Sequence, residues 1–161
     1  MNIREFTEAD WPAVWAIYQV VVAAGETYTY DPAWTEQQAH DVWVEPAPGR
    51  TFVAIDNDRV VGTAHLAPNK PGRGSHVATA SFMVDASARG LGVGRALGEH
   101  ILAVARSYGY ASMQFNAVVE ANTGAVHLWK QLGFQVIGTV PEAFEHPTKG
   151  RVGLHIMYQR L

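Results

Sequence analysis

Cysteine is absent from this chain of 161 residues, so disulfides and thiolate metal sites are excluded. Long hydrophobic runs are absent as well, and none reaches the roughly 18 apolar residues that would indicate a membrane-spanning helix. The first residues, Met1 to Glu5, lack the character of a secretory signal peptide. These absences lead us to expect a cytoplasmic protein that does not interact with a membrane.

The sequence also lacks a strong excess of charge. Twelve Lys and Arg residues stand against fifteen Asp and Glu residues, and the basic ones are scattered, so we expect no nucleic-acid partner. The seven histidines show no paired spacing of the H-E-x-x-H kind, so we predict no metal. With 48% apolar residues and no repeat or linker, residues 1–161 are expected to form one domain with a sizeable core.

Hydrophobic periodicity predicts alternating strands and helices, with antiparallel strands towards both ends of the chain. A capped amphipathic helix is expected from Trp11 to a stop at Gly25, and a second short helix after Thr35. The predicted strands are 3–6, 51–55, 59–66, 76–84, 112–119, 134–140 and 153–159. A long connection over 141–151 is expected to join the last two. This pattern indicates a mixed α/β or α+β fold with three layers.

One glycine-rich segment, Arg89-Gly90-Leu91-Gly92-Val93-Gly94-Arg95, stands between a predicted strand and a predicted helix. Its glycines allow the backbone to approach a ligand closely, and the unpaired N–H groups of a helix start bind anions. The segment lacks the third glycine of the dinucleotide fingerprint and the Gly-Lys-Ser/Thr of the P-loop. We therefore predict another kind of anion site, and the alternative is a plain turn with solvated arginines.

The pattern Arg89-x-x-Gly92-x-Gly94 resembles the pyrophosphate loop of the GNAT superfamily, the acetyl-CoA-dependent N-acetyltransferases. A later segment, Asn122-x-x-Ala125-x-x-Leu128-Trp129-Lys130-x-x-Gly133-Phe134, resembles the family motif in which an asparagine opens a helix beside the cofactor. Taken alone, the second motif would be an ordinary capped helix. Two motifs in the family's order are more specific than either one, and the resemblance covers most of the chain.

The resemblance implies a central, mostly antiparallel sheet with helices on both faces, in which the strands ending near Val84 and Val118 splay apart. The pantetheine arm of acetyl-CoA would lie between these strands, and Asn122 would contact the cofactor. Further cofactor contacts are implied for the backbone of Phe82, Met83, Val84, Arg89, Gly90, Leu91, Gly92, Val93, Gly94 and Arg95. The implied chemistry is direct attack of a neutral amine on the thioester, which needs a base, an acid and donors for the oxyanion.

The sequence departs from the family pattern at the positions that would carry acid–base chemistry. Trp129 stands where many members have a tyrosine acid, and an indole N–H donates a hydrogen bond but cannot act as that acid. Thr79 stands where phosphinothricin-type acetyltransferases have a glutamate. The acid and base are therefore unassigned, and the candidates are Glu26, His65, Glu120 and His146, each of which has an alternative role at the surface or in packing.

The segment Phe115-Asn116-x-Val118-x-Glu120-x-Asn122 resembles the proline-analogue (azetidine-2-carboxylate) acetyltransferases, which implies that Asn116 contacts the acceptor. The alternative is that Asn116 is satisfied across the gap between the splayed strands. Other residues expected at the acceptor site are Tyr28, Tyr30, His65, Phe144 and His146. The two tyrosines would cover the site, or they would pack on the base of their own loop.

The leading hypothesis is an N-acetyltransferase that moves an acetyl group to the amine of a small molecule or an amino acid, with Asn116, Glu26 and Thr79 as catalytic candidates. One alternative is a protein or peptide acetyltransferase, although no acidic run indicates the groove that it would need. The other is a non-catalytic CoA-binding module, suggested by the missing tyrosine. A homodimer is compatible with all three.

Overall fold

The computed structural model describes residues 1–161 and contains one sheet of seven strands in the order β1-β2-β3-β4-β5-β7-β6. The strands are β1 (Asn2–Glu5), β2 (Arg50–Asp56), β3 (Arg59–Pro68), β4 (Val77–Val84), β5 (Ser112–Val119), β6 (Gln135–His146) and β7 (Gly150–Arg160). The helices are α1 (Trp11–Ala24), α2 (Glu36–Trp43), α3 (Val93–Ser107) and α4 (Thr123–Gln131). None of these helices has the length and apolar character needed to cross a bilayer.

The helix ends lie where the local chemistry predicts them. Thr35 caps α2 by accepting a hydrogen bond from the backbone N–H of Gln38, whose own side chain accepts from the Thr35 backbone. Gly25 ends α1 in the left-handed region, with φ at 66°. Asn122 caps α4, and Gly133 follows that helix with φ at 99°. These caps fix where each helix meets the sheet.

Two hydrophobic clusters cover the two faces of the sheet and give the expected three layers. One lies under α3 and α4, and it includes Ala78, Ala80 and Leu97. The other lies under α1 and α2, and it includes Trp43 and Met83. Because side chains alternate along a strand, β4 contributes to both clusters and stands at the centre of the molecule.

The sheet opens between β4 and β5, its one parallel pair. These strands are paired only at Val77 with Ser112 and at Ala78 with Met113, and beyond those residues they separate. The expected splay is therefore present in the structure. An irregularity in β5 after Phe115 also changes the expected alternation of that strand. Ala117 is exposed, whereas Phe115, two residues before it on the same strand, is buried.

The expected connection over 141–151 is wrong. β6 continues to His146, and only the turn 147–149 separates it from β7. Pro141 suggested a loop because proline cannot donate to a strand ladder. β6 is an edge strand, and its pairing with β7 is irregular between Val140 and Phe144, so the missing donor is tolerated there. The hairpin brings the turn 147–149 to the opening of the sheet.

Candidate active site

A cavity of about 650 Å³ occupies the opening between β4 and β5. This volume is typical of sites that bind small molecules. The cavity walls come from the loop after α1, from β4 and β5, from the start of α4 and from the β6–β7 turn. Both segments that resemble family motifs therefore border the same space, although they are distant along the chain.

The glycine-rich segment has the backbone conformation of an anion cradle, and its first residue, Arg89, lines the cavity. Gly90 and Gly92 both have φ at 80°, a conformation that residues with a side chain rarely adopt. Gly92 is the N-cap of α3, and the first bond of the helix runs from Ala96 N to Gly92 O over 3.0 Å. The N–H groups of residues 93–95 precede that bond and have no partner within the helix. They are therefore free to donate to a bound anion.

The two arginine side chains of this segment, Arg89 and Arg95, have different surroundings. Arg89 lines the cavity and forms no ion pair or hydrogen bond through its guanidinium group. The guanidinium group of Arg95 instead donates to the Gln131 side chain and lies 3.6 Å from Glu99. It is therefore engaged by side chains of α3 and α4. Two backbone donors of the segment leave the expected set: the Arg89 N–H donates to Ala86 O at 3.5 Å, and the Leu91 N–H donates to Ala88 O at 3.3 Å.

The free edge of β4 forms the next part of the cavity wall. Phe82 directs both of its backbone groups to this edge, where the Tyr28 hydroxyl accepts from Phe82 N at 2.9 Å and donates to Phe82 O at 2.6 Å. Successive residues of a strand point their backbone groups to opposite sides. Met83, opposite Thr63, therefore directs its groups to β3, and Val84 directs its groups to the free edge. This corrects the expectation for Met83, whose backbone does not face the opening.

Tyr28 and Tyr30 lie in the loop that covers the opening, and both line the cavity. Their rings are stacked, with centroids 5.3 Å apart and planes at 4°. Tyr28 also meets the ring of Trp43 edge-on at 6.0 Å. Desolvation raises the pKa of Tyr28 far above its usual value and raises the pKa of Tyr30 to about 12. Both phenols are therefore neutral and able to donate across the physiological pH range.

A chain of amides lies across the opening on the side away from the anion cradle. Asn116 Nδ2 donates to Asn69 Oδ1 at 2.6 Å, and Gln114 Nε2 donates to Asn116 Oδ1 at 2.9 Å, with the amide orientations assigned from this network. The hydrogen-bonding capacity of the Asn116 amide is thus partly used by Asn69 and Gln114, in agreement with the alternative role of Asn116 within the protein. One N–H and one lone pair of Asn116 remain for a ligand. Thr79 and Ser81 of β4 line the same cavity.

Opposite charges stand at this end of the cavity. The exposed side chains of Glu26, in the loop after α1, and Lys149, in the β6–β7 turn, both line it. His146 is buried beside them, and its Nδ1 accepts from the Thr148 N–H at 3.2 Å. A neutral ring that accepts at Nδ1 carries its proton on Nε2, so His146 offers a donor there rather than a base. Sequence reasoning missed Lys149 because the turn lay within the connection expected over 141–151.

Three residues expected at the acceptor site or as acid or base lie outside the cavity. His65 is 6% exposed and contacts the Trp43 ring at 4.7 Å, with Nδ1 2.9 Å from Glu45 Oε1 but not aligned for a hydrogen bond. Glu120 Oε2 accepts from the backbone N–H of Gly153 at 3.0 Å. Phe144 is buried in β6. His65 and Phe144 are held by packing and the exposed Glu120 by its hydrogen bond, so we withdraw all three as acceptor-binding or acid–base candidates.

Trp129 and Asn122 complete the wall beside the cradle. Trp129 is 7% exposed and belongs to an aromatic cluster, with its ring 4.7 Å from Phe82 and 5.0 Å from Phe115. Asn122 Oδ1 accepts from Ala125 N at 3.3 Å, which leaves the Asn122 Nδ2 group available towards the cavity. No group of three or more histidine, aspartate or glutamate side chains is arranged to hold a metal ion.

Comparison with known proteins gives a family match over most of the chain. Residues 4–134 match the model of the acetyltransferase (GNAT) family. N-acetyltransferase aca1 of Schizosaccharomyces pombe is 31% identical over 137 residues, which are 76% of this chain and 66% of that protein. The chain thus spans just under two thirds of that relative, and it spans smaller shares of other curated proteins that it matches.

Solved structures agree with this match. A GCN5-related N-acetyltransferase from Kribbella flavida is 55% identical, with a TM-score of 0.97 over 99% of this chain and 97% of that one. A phosphinothricin acetyltransferase from Sinorhizobium meliloti in complex with AcCoA has a TM-score of 0.89 over 99% of this chain and 88% of that one. The second protein is 20% identical and supports the likeness of fold alone.

Proposed function

This chain belongs to the acetyltransferase (GNAT) family, whose members are acyltransferases that use acetyl-CoA, and from that premise we propose that it acetylates the amine of a small molecule or free amino acid. One observation carries the proposal. The cavity is lined by Arg89, which precedes the unpaired backbone donors at the start of α3, and by Glu26, Lys149 and Asn116. We assign the first group, as one end of the site, to a cofactor phosphate and the second group, as the other end, to a charged acceptor.

The cradle has the chemistry that a pyrophosphate requires. Helix-start N–H groups and a guanidinium group without a protein partner both form charge-assisted hydrogen bonds with phosphate oxygens. We assign the pyrophosphate to the N–H groups of residues 92–95 and to Arg89, and the pantetheine amides to the free edge of β4 and to Asn122. When bound, acetyl-CoA supplies an activated acyl thioester. The protein's part is to hold it in the opening of the sheet.

The acceptor end favours a zwitterion. Lys149 and the remaining N–H of Asn116 can bind a carboxylate, while Glu26 can attract an ammonium group and accept its proton. Removal of that proton is required because only the neutral amine attacks. Thr79 offers a hydroxyl for positioning and cannot replace a carboxylate base. We therefore propose Glu26 as the base and Asn116 and Lys149 as the groups that orient the acceptor.

The size of the cavity argues for a small acceptor. Its volume of about 650 Å³ must hold both the pantetheine arm and the acceptor. A free amino acid fits that requirement better than a folded protein surface. The opposite charges of Glu26 and Lys149 also match the two charges that a free amino acid carries and that an internal lysine of a protein lacks.

Turnover of acetyl-CoA against matched acceptors tests this proposal. The panel contains α-amino acids, the corresponding amines without the carboxylate, and short peptides. We expect the highest kcat/KM with an amino acid. Preference for peptides would instead support the peptide acetyltransferase, and CoA binding without turnover of any acceptor would support the non-catalytic module.

The remaining expectations from the sequence form part of the proposal. These are a single acetyltransferase domain over residues 1–161, a cytoplasmic location and compatibility with a homodimer. Size-exclusion chromatography with light scattering measures the assembly directly. A dimer would be consistent with the exposed Ile137 and Val140 on the edge strand β6, and a monomer would remove this element of the proposal.

A further inference from the structure

The contact between Tyr28 and Phe82 joins residues that are 54 positions apart in the sequence. A single hydroxyl satisfies both the N–H and the C=O of Phe82, in the way that a residue of a neighbouring strand would. Phe82 stands on the free edge between Val84, next to the anion cradle, and Thr79, on the acceptor side. Tyr28 therefore places a hydroxyl where the cofactor end of the cavity meets the acceptor end.

The surroundings keep this phenol in position as a donor. Stacking on Tyr30 and the edge contact with Trp43 hold the ring, so the hydroxyl needs only a small shift to reach a group beside Phe82. Burial disfavours the phenolate, and the group stays protonated. Trp129 lies against the same residue, with its ring 4.7 Å from the Phe82 ring, and it carries no hydroxyl. Tyr28 is the phenol that the structure brings to this point.

We propose that the Tyr28 hydroxyl is a catalytic hydrogen-bond donor, which turns from Phe82 O to the thioester carbonyl oxygen as negative charge develops there. The inference rests on the proposed function. We place at Phe82 the reacting end of a pantetheine arm that would be anchored at the cradle and would run along the free edge of β4. A preorganised donor at a developing oxyanion contributes about 100-fold to the rate, and sometimes more. The hydroxyl donates a hydrogen bond throughout, and no proton leaves it.

The test compares Tyr28→Phe with the wild type in two binding measurements and one kinetic measurement. S-carboxymethyl-CoA carries a carboxylate where acetyl-CoA carries its acetyl group, so its negative oxygen mimics the developing charge. We expect the wild-type protein to bind it at least about tenfold more tightly than CoA, and Tyr28→Phe to lose that advantage. Calorimetry should show CoA affinity within about threefold of wild type, while kcat falls roughly 100-fold.

Tyr18→Phe is the matched control. Tyr18 belongs to the same aromatic stack, 5.7 Å from Tyr30, and its buried hydroxyl has no hydrogen-bond partner. It does not line the cavity, so binding and turnover should match the wild type. Thermal unfolding of both variants in the presence and absence of CoA shows whether each is folded and able to bind.

Each other outcome has a distinct meaning. A rise in affinity for CoA and S-carboxymethyl-CoA together would show that the hydroxyl merely competes for Phe82, and equal losses would show a structural role. Either result overturns the inference. If the wild-type protein bound neither ligand, the proposed function would fail, whatever the effect of Tyr28→Phe.

Discussion

The two ends of the cavity are built in different ways. The proposed cofactor end is one run of consecutive residues, 89–95, which offers mainly backbone N–H groups at a helix start. The acceptor end combines side chains from segments far apart in sequence, represented by Glu26, Asn116 and Lys149. The positions of the backbone donors depend on the local conformation of one segment. The acceptor end instead requires three segments that are distant in sequence to come together in the folded protein. The difference shows how one fold can retain a binding site for the same cofactor while substitutions of side chains change the acceptor that it binds.

Substitution of Gly92 gives the largest expected effect on ligand affinity, because it disrupts the cofactor end and leaves the acceptor end intact. Gly92→Val should reduce CoA affinity tenfold to a hundredfold, since the side chain displaces the pyrophosphate and costs charge-assisted bonds worth roughly 1.5–3 kcal/mol each. Its φ of 80° also adds strain. Gly109→Val is the control, because Gly109 has φ at 77° and no neighbour within 4 Å of an added Cβ. Calorimetry with CoA that gave equal affinities for the two variants would remove the loop from the site.

Substitution of Asn116 gives the next largest expected effect, and it changes the acceptor end without changing the cofactor end. Asn116→Ala should lower kcat/KM for the true acceptor by at least about tenfold, on the scale of one or two hydrogen bonds. CoA affinity, measured by calorimetry, should stay unchanged. Asn69→Ala removes the partner of Asn116 and should cost less, because Asn116 itself remains. Equal losses for cofactor and acceptor would mean that Asn116 only braces the separated strands.

Substitution of Lys149 tests whether a positive charge at the acceptor end contributes to binding of the acceptor. Lys149→Gln should raise KM for an amino-acid acceptor by about fivefold, the scale of an exposed ion pair. KM for the matching amine without a carboxylate should not change. Lys70→Gln is the control, since Lys70 is an exposed lysine that does not line the cavity. Steady-state kinetics that showed equal changes for both acceptors would remove Lys149 from carboxylate binding.

Trp129 gives the smallest expected effect on activity. Trp129→Phe should keep the turnover number within about threefold, since the indole does not act as an acid. The smaller ring leaves a void against Phe82 and Phe115, so the free energy of unfolding should fall by about 1–2 kcal/mol. Denaturant unfolding measures that loss. A fall in turnover of several orders of magnitude, in a folded variant, would reveal a direct role for the indole.

The sequence predicts the local structure of the proposed cofactor end well because that structure depends on neighbouring residues. Gly92, the helix after it and the cap at Asn122 are each specified within a few residues, and the bounds of β1 to β5 follow closely from the hydrophobic pattern. The splay of β4 and β5 came from the resemblance and not from any pattern in the residues. Local information therefore covered most of the fold and half of the candidate site.

The acceptor end was harder to predict because its contacts are distant in sequence. The bond from Tyr28 to Phe82 has no local pattern, and it uses the backbone groups that we had expected to be free. His65 looked available as a polar strand residue, but its burial depends on Trp43, from a separate helix. Pro141 concealed the hairpin that brings Lys149 into place.

The separation of β4 from β5 leaves a strand edge inside the molecule rather than at its rim. Unpaired strand edges at a protein surface recruit other chains and promote aggregation. Here the facing strand β5, the loop carrying Tyr28 and the start of α4 line the same cavity as this edge, so the protein's own segments surround it. The protein thus retains the hydrogen-bonding capacity of an unpaired strand for its ligand while protecting itself from polymerisation.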